Sequence, residues 1–311
     1  VIVFDLPLAT PFRGLTRRQG MLIEGPAGWA EWSPFPEYDD AEAARWLMAA
    51  LDVAHHGHPV PVRERVPVNA IVPALPPDQA AARAVASGCD TVKIKVAAPG
   101  QGLDQDLARV AAVREALPEA AIRVDANGGW DLSQALTAAH ALARFDLEYL
   151  EQPCASVEEL AQLRRRLGGQ VWIAADESIR RASDPFRVRD LAAADVVVLK
   201  QQPLGGARAC LELAATLGLP VVVSSAVESV IGIHAGVRLA AALPELSLAC
   251  GLETGRLLAA DVTRPVSIDD GHITVGPDPV PDEVPVASPE VTHWWQERLR
   301  RVAEHAGVAL P

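Results

Sequence analysis

The stretch Thr91-Val92-Lys93-Ile94-Lys95-Val96 decides the fold. Its β-branched residues at 91, 92, 94 and 96 and its period-two alternation predict a β-strand. Strand side chains alternate between faces, so Lys93 and Lys95 share one face and Val92, Ile94 and Val96 the other. Two ammonium groups side by side repel each other, and a strand inside an α/β protein is covered on both faces. Burying them requires anions opposite. The alternative is an edge strand whose solvated lysines discourage aggregation. Three carboxylates and a third lysine at the ends of later strand-like segments favour the buried reading.

From residue 66 onward strands and helices alternate. Strands are predicted over 66–72, 91–96, 121–125, 147–150, 171–175, 195–199, 220–223 and 246–250. Helices are predicted over 77–87, 104–117, 132–144, 206–217 and 229–242, with another opening at the capping box Ser156/Glu159. Asp131 is placed to N-cap the helix it precedes, and Gly88 and Gly218 to stop theirs. Asp125, Glu151, Asp176, Lys200 and Ser224 then follow one another at intervals of 26, 25, 24 and 24 residues, each at a strand end. One step is one βα unit, and about eight such units make a closed barrel of parallel strands. An open doubly wound sheet is disfavoured, because no G-x-G-x-x-G follows the first strand. In a barrel all strand C-termini open on one face. Lys93, Lys95, Asp125, Glu151, Asp176 and Lys200 would therefore converge, and polar residues at that face read as catalytic.

Composition bounds the function. The 311 residues suffice for a large α/β domain and a smaller one, and half of them are hydrophobic. A net charge of −12 argues against non-specific binding to nucleic acid or to anionic membrane. No apolar run approaches a membrane span, and the first residues lack the basic region of a signal peptide. Cys89, Cys154, Cys210 and Cys250 are widely spaced without a C-x-x-C pair, as expected of reduced cysteines in a cytoplasmic protein.

The two ends of the chain have a different texture. Residues 1–6 and 20–24 read as strands, joined by the basic segment Pro11-Phe12-Arg13-Gly14-Leu15-Thr16-Arg17-Arg18-Gln19-Gly20. That segment is either a solvated turn or a lid whose arginines, Arg13 among them, meet an anionic ligand. A helix is expected over 41–53. His55, His56 and His58 follow in a Gly/Pro turn and read as surface residues, not metal ligands, for want of an acidic partner. Towards the other end, 267–275 reads as a hairpin and 289–306 as a helix. Both ends are expected to join in one capping domain beside the barrel mouth.

Asp125, Glu151 and Asp176, from three consecutive strands, offer three hard oxygen ligands, which suits Mg²⁺. The absence of Cys and His among them disfavours zinc. Lysines flank the trio on both sides. A dication facing lysines suits removal of a proton next to a carboxylate, because the cation neutralises the enediolate that forms. A lysine near another cation has its pKa lowered and can act as a neutral base.

Taken together, Lys93-x-Lys95, Asp125-x-Asn127, Glu151-Gln152-Pro153, Asp176-Glu177-Ser178 and Lys200 resemble the motif set of the enolase superfamily, muconate-lactonizing subgroup, over nearly the whole chain. The resemblance implies an α/β fold: a modified TIM barrel, (β/α)7β, over 63–261, with an α+β capping domain formed from both termini, 1–62 plus 262–311. It implies Asp125, Glu151 and Asp176 as ligands of Mg²⁺, for which Mn²⁺ can substitute. It places the catalytic Lys95 and Lys200 on opposite faces of the substrate, Lys93 at the substrate carboxylate and Asn127 among the binding residues.

Within the subgroup the chain most resembles the o-succinylbenzoate synthase family of actinobacterial type. The cues are the short N-terminal part, Phe12-Arg13-Gly14 with Arg17-Arg18, Gly28-Trp29-Ala30-Glu31-Trp32-Ser33-Pro34, and Ser224-Ser225-Ala226-Val227-Glu228-Ser229 with Gly232. This implies a lyase of menaquinone biosynthesis. It would convert an anionic dicarboxylate, 2-succinyl-6-hydroxy-2,4-cyclohexadiene-1-carboxylate, to 2-succinylbenzoate by syn dehydration. Lys95 would take the α-proton and return it to the departing hydroxyl, while Lys200 stays cationic, partly over the ring. The backbone around Ser224, Ser225 and Gly251 would hold the succinyl tail. Arg123, two residues before Asp125, either orients the site or is structural. Some dipeptide epimerases carry Asp-x-Asp after the eighth strand; Cys250-Gly251-Leu252-Glu253-Thr254 lacks it, which disfavours that reading. N-acylamino-acid racemase stays open, since it needs the same two lysines. A barrel that lost its chemistry is argued against by the intact residue set. Oligomeric state is left open, with a monomer admitted.

Overall fold

The structure, a computed structural model, describes residues 1–182 and 184–310. The chain opens with an antiparallel sheet, β1 (Ile2–Phe12), β2 (Leu15–Gly25) and β3 (Gly28–Trp32), followed by α1 (Asp40–His56). Asp39 N-caps α1, its carboxylate accepting from Glu42 N at 2.8 Å. The helix outruns the expected 41–53 by about a turn at its C-terminal end. Trp32, Phe35, Trp46 and Trp295 form the heart of a separate apolar core here.

The barrel region runs β4 (Arg65–Pro67), β5 (Ala70–Val72), α2 (Pro77–Ser87), β6 (Thr91–Lys95), α3 (Leu103–Ala116), β7 (Ala121–Asp125), α4 (Leu132–Leu142), β8 (Leu147–Glu151) and α5 (Val157–Leu167). It continues with β9 (Trp172–Ala175), the single turns α6 (Glu177–Arg180) and α7 (Arg187–Asp190), β10 (Val196–Leu199), α8 (Ala207–Leu217), β11 (Val221–Val223) and α9 (Val230–Ala242). Strand β12 (His272–Thr274) and helix α10 (Pro289–Ala306) follow. Strands β5 to β11 form one sheet in sequential order, every neighbouring pair parallel. The outward face packs on the helices through Val92, Ile94, Val124, Leu150 and Ile173, as expected of a sheet covered by βα crossovers.

The eighth segment closes the ring without forming a regular strand. Cys250 bridges Val68 and Gly251 bridges Ser224, both parallel, so the chain at 250–251 joins the two sheet edges. Cys250 N donates to Pro67 O at 2.7 Å and Gly251 N to Val223 O at 2.8 Å. The expected strand over 246–250 is thereby corrected to two single bridges.

Three other expectations are corrected. The strand 66–72 is broken at Val68-Asn69: β4 pairs antiparallel with β12, whereas β5 pairs parallel with β6, so one straight strand cannot serve both. The hairpin over 267–275 reduces to the bridge Asp269↔His272, and β12 turns to β4 instead. The basic segment 11–20 is not a loop. β1 and β2 form a long hairpin turning at Arg13-Gly14, with a register irregularity between Pro7 and Phe12. A proline cannot donate to a ladder, and a bulge accommodates it.

All four cysteines are buried and unpaired. Among the described residues no helix is long and apolar enough to cross a membrane.

Candidate active site

The register of the parallel sheet assembles the site. Lys95 pairs with Asp125 across β6 and β7, and Asp125 with Glu151 across β7 and β8. Asp176 directly follows β9 and Lys200 directly follows β10. All therefore stand at the C-terminal rim, where successive strands in a barrel deliver their ends to one face.

A cavity opens to solvent at this rim; with its mouth included, it spans ≈ 520 Å³ of empty space. Lys93, Lys95, Asp125, Asn127, Lys200, Ser224, Ser225 and Arg13 all line it. Glu151 and Asp176 are fully buried just beneath. Lys93 Nζ donates to both Glu151 carboxylate oxygens at 2.8 and 2.9 Å. Lys200 Nζ donates to Asp176 Oδ2 at 2.6 Å, and Arg180 Nε to Asp176 Oδ1 at 3.0 Å. Lys95 has no such tight partner among the described residues; its Nζ lies 3.9 Å from Asp125.

These contacts separate the lysines electrostatically. Burial disfavours the charge on Lys93, but Glu151 and Asp125 outweigh it and hold its pKa up. Burial dominates at Lys95, helped by the nearby Lys93, and its pKa is lowered despite Asp125. Among the carboxyls, burial pushes Glu151 up to about 7, with Asp125 and Asp176 adding to it and Lys93 opposing. Asp125 is held low against burial by Lys95 and Lys93, and Asp176 by Arg180 and Lys200.

Three carboxylates buried together, one of them driven towards its protonated form, need positive charge among them. Their donor atoms are all oxygens, which fits a hard dication. In this arrangement the trio's oxygens do not all lie within 4.8 Å of one another, and Lys93, Lys200 and Arg180 each donate to them.

Gln152 joins the ends of β8 and β9. Its Oε1 accepts from Asp176 N at 3.0 Å and Ser178 N at 3.1 Å, and its Nε2 donates to Ser178 Oγ at 2.7 Å. Asn127, at φ 45°, donates its backbone N–H to Asp125 Oδ1 at 3.0 Å. Ser225 Oγ donates to Gly251 O at 2.6 Å. Gly251 itself lies behind the wall: a Cβ there would meet Ser224 Oγ at 2.5 Å.

Arg123 is not among the residues that line the cavity, and of its two readings the structural one fits its surroundings. It is fully buried, donates to Asn69 Oδ1 at 2.9 Å and Ala249 O at 2.6 Å, pairs with Glu148 and stacks on Tyr149. It points into the barrel like Asp125, but one layer lower, where Nε and Nη1 are bonded and Nη2 is buried without a hydrogen-bond partner. Of the basic segment's arginines only Arg13 lines the cavity; Arg17 pairs with Asp5 at 2.7 Å, and Arg18 is buried. Phe12, Ile71, Val72, Ala226, Val227 and Thr254 also line the cavity and were not expected there. They bear no distinctive chemistry, so only the folded path of the chain reveals them. Arg180 was likewise missed, although its place four residues after Asp176 on a helical turn was a signal.

The match to the family described as Enolase C-terminal domain-like spans residues 77–282, and that to Enolase N-terminal domain-like spans residues 3–54. The muconate lactonizing enzyme from Pseudomonas fluorescens, solved with muconolactone, superposes with a TM-score of 0.77 over 97% of each chain at 23% identity, a likeness of fold. The chain belongs to the enolase superfamily. An o-succinylbenzoate synthase from Thermobifida fusca is 61% identical over 83% of this chain and 81% of its own length. Another, from Mycobacterium bovis, is 51% identical over 96% of this chain and 92% of its own. Within the superfamily the chain belongs to the o-succinylbenzoate synthase family, whose members are carbon–oxygen lyases.

Proposed function

We propose that the cavity at the barrel mouth performs the o-succinylbenzoate synthase reaction through Lys95 as its single base. The substrate is 2-succinyl-6-hydroxy-2,4-cyclohexadiene-1-carboxylate and the product 2-succinylbenzoate, in menaquinone biosynthesis in the cytoplasm. The neutral amine of Lys95 takes the proton next to the ring carboxylate, and the electron pair moves into that carboxylate. The pair then returns to form the ring double bond as the carbon–oxygen bond breaks. Lys95, now ammonium, gives its proton to the leaving hydroxyl, so water departs from the face at which the proton left. Lys200 stays protonated on the other face and stabilises the anion.

One observation carries this reading: Lys95 has a lowered pKa and no hydrogen-bonded carboxylate among the described residues, whereas Lys93 is bonded to Glu151 and Lys200 is fixed to Asp176 at 2.6 Å. Asp125, Glu151 and Asp176 would hold a divalent cation, in our reading Mg²⁺, whose charge offsets the negative charge that develops on the substrate carboxylate. Lys93 and Arg13 supply further cationic charge for a dicarboxylate. Asn127, Ser224 and Ser225 offer hydrogen bonds, with Gly251 giving Ser224 its room. The working units are a cap of residues 1–62 and 262–311 and a barrel of 63–261.

N-acylamino-acid racemase is the second reading, favoured by the presence of both lysines in one cavity. The test is ultraviolet loss of the cyclohexadiene with Mg²⁺, with EDTA, and in Lys95→Ala. Rapid loss that needs the cation and falls by roughly 10²–10⁴ in the variant is expected. Failure of folded, cation-binding protein to consume this substrate would reject the dehydratase. Exchange of the α-proton of N-acylamino acids in D₂O, without dehydration, would establish the racemase.

A further inference from the structure

Outside the catalytic cavity, one cluster of metal-binding side chains has no role in the reaction above. His58 follows α1, His234 lies on α9, and Asp278 lies between β12 and α10. One candidate ligand atom from each lies within 4.8 Å of the other two. His234 Nε2 is 2.9 Å from Asp278 Oδ1, and His58 Nε2 is 3.9 Å from the same oxygen. The imidazole rings meet edge to face at 5.3 Å. This overturns the expectation that His58 is a surface residue without an acidic partner: its side chain is 5% exposed, and its partner arrives from the far end of the chain.

We propose that His58, His234 and Asp278 bind a transition-metal dication of the zinc class, at a site distinct from the carboxylate trio. The first support is geometric. Two ligands of a tetrahedral zinc ion, each about 2.0–2.1 Å from it, stand roughly 3.3 Å apart. The observed separations bracket that value, so small side-chain rotations suffice. The second is a buried polar atom without a partner. His58 Nδ1 is buried and makes no hydrogen bond among the described residues. Arg238, one turn along α9, also faces the cluster and opposes a cation; the Asp278 carboxylate opposes Arg238.

The donor types sort the metals. Two imidazoles and a carboxylate suit Zn²⁺ or Co²⁺, whereas three carboxylates suit Mg²⁺ or Mn²⁺. The half-exposed Asp278 leaves a solvent-facing position for a water ligand. An ion here would clasp the turn after α1 and the segment before α10 onto α9 of the barrel.

The experiment titrates the full chain with Zn²⁺ by calorimetry in excess Mg²⁺, which keeps the trio occupied, and with Co²⁺ by visible absorption. One equivalent of Zn²⁺ and an intense tetrahedral Co²⁺ spectrum are expected. Both are expected to be lost in His58→Gln and in Asp278→Asn, with Mg²⁺-dependent turnover unchanged. Asp278 is exposed enough that its variant folds even if the histidine variant does not. Absence of the Zn²⁺ equivalent in the unaltered chain overturns the proposal, as does an equivalent that persists in Asp278→Asn.

Discussion

Gln152 has φ 38° and a buried amide whose hydrogen bonds join the segments carrying Glu151 and Asp176. A positive φ in a non-glycine residue is uncommon and stored strain of this kind concentrates at functional sites. Here it turns the amide from the end of β8 onto the backbone after β9, so two carboxylates from different strands keep a fixed spacing. Gln152→Ala leaves the Asp176 and Ser178 N–H groups without that acceptor, and the trio loosens. Groups that orient metal ligands typically contribute 10–100-fold in affinity. The expected outcome is a Mg²⁺ affinity weaker by about that factor, read from melting temperature against Mg²⁺ concentration. The melting temperature in EDTA separately reports the loss of fold stability. An unchanged Mg²⁺ dependence would show that the carboxylates hold their spacing without Gln152. Lys95, Lys200 and the acids were legible in the sequence because each stands at the end of a strand of a regular repeat, and Lys93 because it shares a face with Lys95; a barrel converts that repeat into proximity. Gln152 stood out only as part of a motif, and its bonding to the next strand was not deducible. His58 was misread for a related reason: its carboxylate partner lies far along the chain.

The β1–β2 hairpin shows what period and composition leave hidden in an element. Its turn residues Arg13 and Gly14 have φ 52° and 76°, and Phe12 pairs with Leu15. Two positive φ values in a two-residue loop make a type I′ turn, which ordinarily calls for Asn-Gly. Without that signal, and with prolines at 7 and 11, the segment reads as a loop. Arg13 occupies a position where Asn is preferred, and it lines the cavity with its guanidinium 4.4 Å from the Phe35 ring centroid. The turn therefore carries an unfavourable residue where an anion is to be met. Arg13→Asn suits the turn better and removes the charge. It is expected to raise KM for the dicarboxylate about tenfold, as for loss of one charged contact, with kcat little changed and the melting temperature equal or higher. A fall in kcat at constant KM would instead place Arg13 in the chemical step. The barrel strands were legible where a strand pairs with like neighbours on both sides. They were not where the chain changes partners, at Val68-Asn69, or where it closes the ring in two bridges at 250–251.

The cap and the barrel meet through a buried charged network that joins β2 and β3 to the segment after β11. Glu31 accepts from Ser229 N at 3.0 Å and from Ser33 Oγ at 2.5 Å. Arg18 donates to Val227 O at 3.1 Å, and Ser33 N donates to Gln202 Oε1 at 3.2 Å. Glu228 accepts from Ala226 N. Val227 lines the cavity at φ 62°, an unfavourable conformation for a β-branched residue, so the cap helps hold a cavity wall under strain. Burial, then repulsion from Glu228, pushes Glu31 up from 4.5 to about 7, against Arg18 and the two serines. A carboxyl whose pKa is raised by folding binds more protons in the native than in the unfolded state between those values. Its contribution is therefore most favourable below 4.5, declines as pH rises, and is fully lost above 7. At about 1.4 kcal/mol per pH unit, the decline amounts to about 3 kcal/mol at most. Glu31→Gln keeps a neutral group that can accept from Ser229 and donate to Ser33. Denaturant unfolding at pH 5 and pH 8, both in excess Mg²⁺, is expected to show the unaltered chain losing up to that much more stability than the variant across the interval. Asp261, also raised by burial, to about 6, titrates in both proteins and cancels in the comparison. Equal pH slopes in the two would mean that Arg18 neutralises Glu31 throughout, and that the contact between cap and barrel is indifferent to pH.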